Sequence, residues 1–133
     1  MFQQAEVSYI QSQLLARLAT VSPKAEPTLD AVGYKFLDTH FAVGGINLSA
    51  TRKYRNITAG NHHVSLIIDD IETIEPWVPR GIKMHCTAVV VDGEGPMGKG
   101  EYFIITPHTT WSWGLVQPCF IDEKFVTNKI EWL

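Results

Sequence analysis

The 133-residue sequence is 45% hydrophobic and 19% charged, with a formal charge of −3. That balance is too apolar for disorder and too acidic for a general nucleic-acid surface. A chain of this length buries roughly two-thirds of its unfolded surface, so residues 1–133 are read as a single domain, and no apolar run approaches the roughly 18 residues of a membrane-spanning helix.

In chain order, Phe2 to Ala16 holds few helix breakers, and Phe2, Ala5, Tyr9, Leu14 and Leu15 loosely follow helical spacing, which predicts a first helix. Two strands follow, Arg17 to Val21 and Thr28 to Leu37, separated by the punctuated segment Ser22 to Pro27. His40 to Val43 reads as a third strand and runs into Gly44-Gly45, a turn. Asn47 or Ser49 can then cap a short helix through a side-chain oxygen. Within its first turns lie Arg52, Lys53 and Arg55. At about 100° per residue, Arg52, Lys53 and Asn56 share one arc and Ala50, Tyr54 and Ile57 another. Two readings stand for the cationic arc: a small anion site, with phosphate as the natural ligand, or a solvated basic face.

Beyond the stop signal Ala59-Gly60-Asn61, Val64 to Asp69 is a β-branched strand. Ile71 to Arg80, with Pro76 and Pro79 around Trp77, is predicted as a crossing loop. Gly81 to Val91 alternates cleanly, with Ile82, Met84, Cys86, Ala88 and Val90 on one face. The glycine-rich run Asp92 to Gly100 is read as a loop, and Tyr102 to Thr106 and Thr109 to Leu115 as two strands broken at Pro107. The tail from about residue 116 has no assigned form. Six or seven strands with two helices predict a mainly β fold, a small β-barrel with helical additions.

Other chemistry is sparse. The five histidines form no His-x-His or His-x-x-x-His pair, so no metal site is expected. Ser112 lacks a Gly-x-Ser-x-Gly elbow. Trp111 and Trp113 share a strand face, either in the core or as an aromatic wall for a planar ligand. Asp69-Asp70 reads as a solvated strand end or as an orienting pair for a cation or a loop. Cys86 and Cys119 form no CxxC pair, and the first residues lack the order of a secretory signal, so a cytoplasmic protein with free thiols is expected.

Several segments occur together in a recognisable order and spacing: Arg17 to Val21, Pro27 to Tyr34, Gly44-Gly45 through Thr51-Arg52-Lys53-Tyr54-Arg55-Asn56, Ile68-Asp69-Asp70, Trp77-Val78-Pro79-Arg80-Gly81-Ile82 and Ser112-Trp113-Gly114-Leu115. Together, over roughly residues 5 to 115, they resemble the pyridoxamine 5′-phosphate oxidase-like FMN-binding split-barrel family, in particular its branch using the deazaflavin coenzyme F420. The resemblance implies a six-stranded split β-barrel and a homodimer with cofactor grooves between subunits. It implies that Thr51, Arg52, Lys53 and Asn56 hold the cofactor phosphate. Val32, Gly33 and Tyr34 would line the ring, and Trp77, Arg80 and Trp113 would close the groove. The cofactor is then coenzyme F420 or FMN, and the partner a small-molecule substrate, with neither nucleic acid nor membrane. Hydride transfer from reduced F420 to an unsaturated organic acceptor is the first function implied; an FMN oxidoreductase or a non-catalytic flavin-binding or storage protein are the alternatives. The sequence departs from the family pattern at Ala25, where a turn glycine is usual, at Ala31, where proline is common, and at His85 and Cys86, which replace an Arg and a Gly.

Overall fold

In the computed structural model, which describes residues 1–132, the chain is mainly β. It runs α1 (Gln4–Ser12), β1 (Leu15–Val21), β2 (Pro27–Gly33), β3 (Lys35–Phe36), β4 (Phe41–Val43), a 3₁₀ turn (Leu48–Ala50), α2 (Arg52–Thr58), β5 (His63–Thr73), β6 (Val78–Gly95), β7 (Gly98–Trp113), β8 (Phe120–Ile121), β9 (Lys124–Phe125) and β10 (Asn128–Glu131). Among the described residues, eight strands form one antiparallel sheet in the order β2-β1-β5-β6-β7-β4-β3, with β10 alongside β7, and β8–β9 form a separate hairpin. The two ends of that order are successive pieces of one extended segment. Pro27–Gly33 pairs with β1 and Lys35–Phe36 with β4, so the break at Tyr34 lets the segment reach both edges and close the sheet on itself. The strand expected over Thr28 to Leu37 is therefore two strands serving opposite edges.

Closure gives the sheet an inside. Leu18, Phe41, Leu66, Ile68, Ile82, Met84, Phe103 and Ile105 are fully buried there, and Ile10 of α1 and Ile57 of α2 join them. Period-two alternation produces this lining, since successive strand residues point to opposite faces. Ile82, Met84, Cys86 and Ala88 all point inward, as their spacing predicts.

Other boundaries shift. The first helix ends at Ser12, leaving Leu14 and Leu15 exposed outside it. Ile71 to Arg80 is not a crossing loop: β5 runs to Thr73 and β6 begins at Val78, so the prolines sit in and beside a hairpin turn. The glycine-rich run is likewise the tip of the β6–β7 hairpin, paired through Gly95 and Gly98. Pro107 does not divide β7. His85 pairs with Thr109 and Cys86 with Pro107, so His108 is an extra residue in a bulge, where the ladder bond that proline cannot donate is dispensable. No helix among the described residues is long and apolar enough to cross a membrane.

Candidate functional site

The cationic segment is shaped by what precedes it. Asn47 adopts the left-handed conformation (φ 52°, ψ 46°) and starts the 3₁₀ turn, which delays the α-helix by several residues. Thr51, rather than Asn47 or Ser49, is then the cap: its Oγ1 accepts from the Tyr54 N–H at 3.2 Å and donates to the Leu48 carbonyl at 2.6 Å. Arg52 is exposed and Lys53 half-buried. Among the described residues the ion pairs are Arg17–Asp69, Arg80–Asp70 and Lys129–Glu131, so both cations stand free of carboxylates.

Asn56 does not stand at the surface with the two cations. It is buried, and its Nδ2 donates to Thr20 Oγ1 at 2.9 Å inside the barrel. The side chain ties α2 to β1 beneath the cations. Helical spacing relates these positions to one another but does not say which arc meets the core; the Thr20 hydroxyl decides that here.

The expected ring-lining residues divide similarly. Val32 is buried, and Tyr34 hydroxyl donates to the backbone carbonyls of Ile10 (2.6 Å) and Gln13 (3.1 Å), fastening the end of α1. Burial pushes that hydroxyl up to about 12. Gly33 lies exposed between them, with nothing within 4 Å of where a Cβ would stand.

Trp77 is 57% exposed in the β5–β6 turn. Arg80 is committed: its Nε and Nη2 donate to Asp70 at 2.8 and 3.0 Å, and its guanidinium lies 5.0 Å from the centre of the Tyr9 ring. Tyr9 hydroxyl donates to the same carboxylate at 2.8 Å. The Arg80 bonds, reinforced by Tyr9, hold the Asp70 carboxyl below its ordinary range. Of the two readings of Asp69-Asp70, Asp70 takes the orienting one; Asp69 forms an exposed pair with Arg17 at 3.2 Å.

Trp111 and Trp113 lie on the outer face of β7, because Thr110 and Ser112 point inward; neither joins the core. Trp113 lies over Gly81 and within 6.1 Å of the Phe125 ring. Trp111 meets the His85 ring edge-on at 4.7 Å, with Lys83 Nζ 4.9 Å from its own ring. Sequence reasoning missed this cluster, although Lys83, His85 and Trp111 sit on the polar faces of two alternating strands. Ser112 is buried and donates to the fully buried Glu6 at 2.6 Å, so it serves packing rather than nucleophilic attack.

Two groups emerge. Asn56 and Asn61 moor α2 at Thr20 and Val21, one end of β1. Gly33 pairs with Leu15 at the other end, and Asp69, joined to Arg17, brings Gly81 and Trp113 to that same end. Five residues of strand at roughly 3.3 Å each separate these ends, about 17 Å. Within one chain, Trp77, Arg80 and Trp113 therefore do not close over Arg52 and Lys53.

No family model matches the sequence. The chain is 30% identical over 120 residues to the 5a,11a-dehydrotetracycline/5a,11a-dehydrooxytetracycline reductase of Streptomyces rimosus subsp. rimosus, covering 86% of this chain and 84% of that one. Its fold is similar to that of an F420 reductase (TM-score 0.64, 18% identity, 82% of this chain and 98% of that). It is also similar to that of a FAD-binding protein from Mesorhizobium loti (TM-score 0.63, 13% identity, 80% and 87%).

Proposed function

The chain belongs to the pyridoxamine 5′-phosphate oxidase-like split-barrel family, and from that premise we propose that it is a reductase that binds reduced coenzyme F420 and delivers hydride to an unsaturated organic acceptor. The observation that carries the proposal is the pair Arg52 and Lys53, adjacent cations free of carboxylates among the described residues. An acidic chain that leaves two neighbouring cations uncompensated offers a place for a phosphate. The reductase from Streptomyces rimosus adds the reaction class: its name describes reduction of a dehydro compound.

Arg52 and Lys53 would hold the phosphate through charge-assisted hydrogen bonds, with Thr51 fixing the start of their helix and Asn56 holding that helix to the barrel. Gly33, where the backbone is open to close approach, would meet the ring from the other copy of a dimer, since within one chain it lies at the far end of β1 from Arg52 and Lys53; Val32 and Tyr34 would support it from within. Reduced F420 supplies the hydride chemistry when bound. The chain's own work is to anchor, orient and exclude water. That agrees with the scarcity of acid–base groups.

A homodimer completes this reading. The Trp77, Arg80 and Trp113 end of one copy would cover the α2 end of the other. Exposed Leu15, Leu29, Trp77 and Val89 give the outer face the apolar surface that association needs. FMN is the alternative cofactor, since the phosphate clamp is common to both. The reading places the enzyme in the cytoplasm.

Titration with reduced F420 and with FMN, followed by ring fluorescence, tests the cofactor. Oxidation of the bound reduced cofactor by enones and quinones then tests turnover, and light scattering on the eluting protein tests the dimer. Binding of neither cofactor at low ionic strength overturns the proposal.

A further inference from the structure

α2 is tethered to two strands. Asn56 and Asn61 hold it to β1, and the Tyr54 hydroxyl donates to Glu101 Oε2 on β7 at 2.8 Å. Tyr54 follows Lys53 directly, and its N–H donates to the Thr51 cap, so Glu101 is fastened to the turn that carries Arg52 and Lys53. A second contact places the same end of the β6–β7 hairpin. Met97, at its tip, lies 3.4 Å from where a Cβ on Gly44 would stand, at the start of the loop leading into α2. Asp92 is the residue across the ladder from Glu101.

Two carboxylates therefore stand near a helix bearing Arg52, Lys53 and Arg55, yet among the described residues none of these groups forms an ion pair. The Tyr54 hydroxyl accounts for Glu101. It gives that carboxylate a donor other than the cations and fixes where its charge sits. The hydrogen bond to Glu101 raises the Tyr54 pKa, with burial and the charges of Glu101 and Asp92 adding to the effect, so the hydroxyl stays a donor well past neutral pH. A fixed negative charge beside the cations does not cancel them, but it changes what they select. Three cations and two carboxylates leave one net positive charge, the complement of a phosphate with one negative charge. A second negative charge on the ligand meets repulsion from Glu101 and gives up more hydration on binding.

We propose that Glu101, tethered by Tyr54, is a specificity-determining residue of the phosphate clamp: the tether keeps Arg52 and Lys53 in place and free of ion pairs, and the carboxylate sets the clamp for a singly charged phosphodiester over a doubly charged phosphomonoester. The proposal rests on the clamp assigned above and adds to it the class of phosphate. F420 carries its phosphate as a diester, FMN as a monoester.

The test uses two ligand pairs that differ by one charge: FMN and its monomethyl ester, and phenyl phosphate and methyl phenyl phosphate. They are titrated at pH 8, above the second ionisation of a phosphomonoester at about pH 6. Binding to the full-length protein, Tyr54→Phe and Glu101→Gln is read by ring fluorescence for the first pair and by the NMR shifts of the α2 amides for the second. The native protein is expected to bind each diester about threefold tighter than its monoester at low ionic strength. Glu101→Gln keeps an acceptor for Tyr54 but loses the charge, so diester binding should hold while the preference disappears. Tyr54→Phe cuts the tether and frees Glu101 for the cations, so both members of a pair should bind about threefold more weakly. A purely structural contact would lower the melting temperature of both variants and leave the diester-to-monoester ratio alone. That ratio unchanged in Glu101→Gln, a native preference for the monoester, or undiminished binding in Tyr54→Phe overturns the proposal, as does failure of all four ligands to bind. The two readings fail separately. Phenyl phosphates that bind with the diester preference while neither flavin binds sink the flavin reading alone, whereas flavin binding indifferent to Glu101→Gln sinks only the charge selection.

Discussion

Gly81 on β6 and Trp113 on β7 face each other so closely that a Cβ on Gly81 would lie 2.6 Å from Trp113 Cζ2 and 2.8 Å from the Ile68 carbonyl oxygen. The missing side chain is what lets the indole lie against the sheet and meet Phe125 of the β8–β9 hairpin. Gly81→Ala must push the indole away or bend β6 against β5. A loss of about 1–3 kcal/mol is expected, the usual cost of overpacking, together with a changed near-ultraviolet circular dichroism signal from the displaced tryptophan. Thermal unfolding and the spectrum check it; an unchanged melting temperature and spectrum would show that the contact relaxes freely.

Arg52 and Asn56 lie one helical turn apart and are expected to respond differently. Arg52→Ala or Lys53→Ala should weaken cofactor binding by about 1.5–3 kcal/mol and leave the melting temperature alone, because each removes a charged donor to phosphate and no internal contact. Arg55→Ala should cost less binding. Asn56→Ala should instead lower stability by about 1–3 kcal/mol, since it strands the buried Thr20 hydroxyl. Fluorescence titration and thermal melts separate the two effects. Equal binding losses at Arg52, Lys53 and Arg55 would indicate diffuse electrostatics rather than a clamp.

This contrast also marks how far the sequence is legible. The inward face of Ile82, Met84, Cys86 and Ala88 can be read directly because strict alternation has one physical meaning, a half-buried strand. The ordered segments around Thr51 to Asn56 and Trp77 to Ile82 point to the split barrel before any coordinates. Pro107 misleads, because its damage to a strand depends on whether the ladder needs its N–H, and the His108 bulge removes that need. The run from Asp92 to Gly100 misleads similarly: glycine marks a reversal but does not say how far pairing continues toward it. Asn56 is placed with the cations by its spacing, but its burial cannot be read there. Its partner, Thr20, lies 36 residues away, and no local pattern records such a pair.

Cys86 is fully buried on the inner face of β6, and burial pushes its thiol up to about 12. The thiolate, the reactive form, is therefore suppressed at pH 8. Iodoacetamide should leave Cys86 unmodified in the folded protein and label it at the rate of unfolding. Cys119, 4% exposed beside the short β8–β9 hairpin, should react first, through local opening of that hairpin. Peptide mass spectrometry over time gives the order, and rapid native labelling of Cys86 would contradict the closed barrel.

Asp70 links the barrel to α1, since Tyr9 and Arg80 both donate to its carboxylate. The folded protein lowers the Asp70 pKa, first through Arg80, so the folded state binds this proton less readily than the unfolded state does. The resulting stability is fully present above the ordinary carboxylate value near 3.9 and is lost as pH falls through the lowered folded value. Both partners are about a third exposed, which limits the pair to roughly 1 kcal/mol despite its bidentate geometry. Asp70→Asn should therefore lower the melting temperature at pH 7, with the gap to the native sequence closing as the solution is acidified below pH 4. Tyr9→Phe removes one donor but keeps the ion pair, so it should cost less at pH 7 and preserve most of the acid dependence. Melting curves of the three proteins from pH 7 down to pH 2 decide the matter. A gap that stays constant with pH would mean that Asp70 acts through packing of its side chain rather than through its charge.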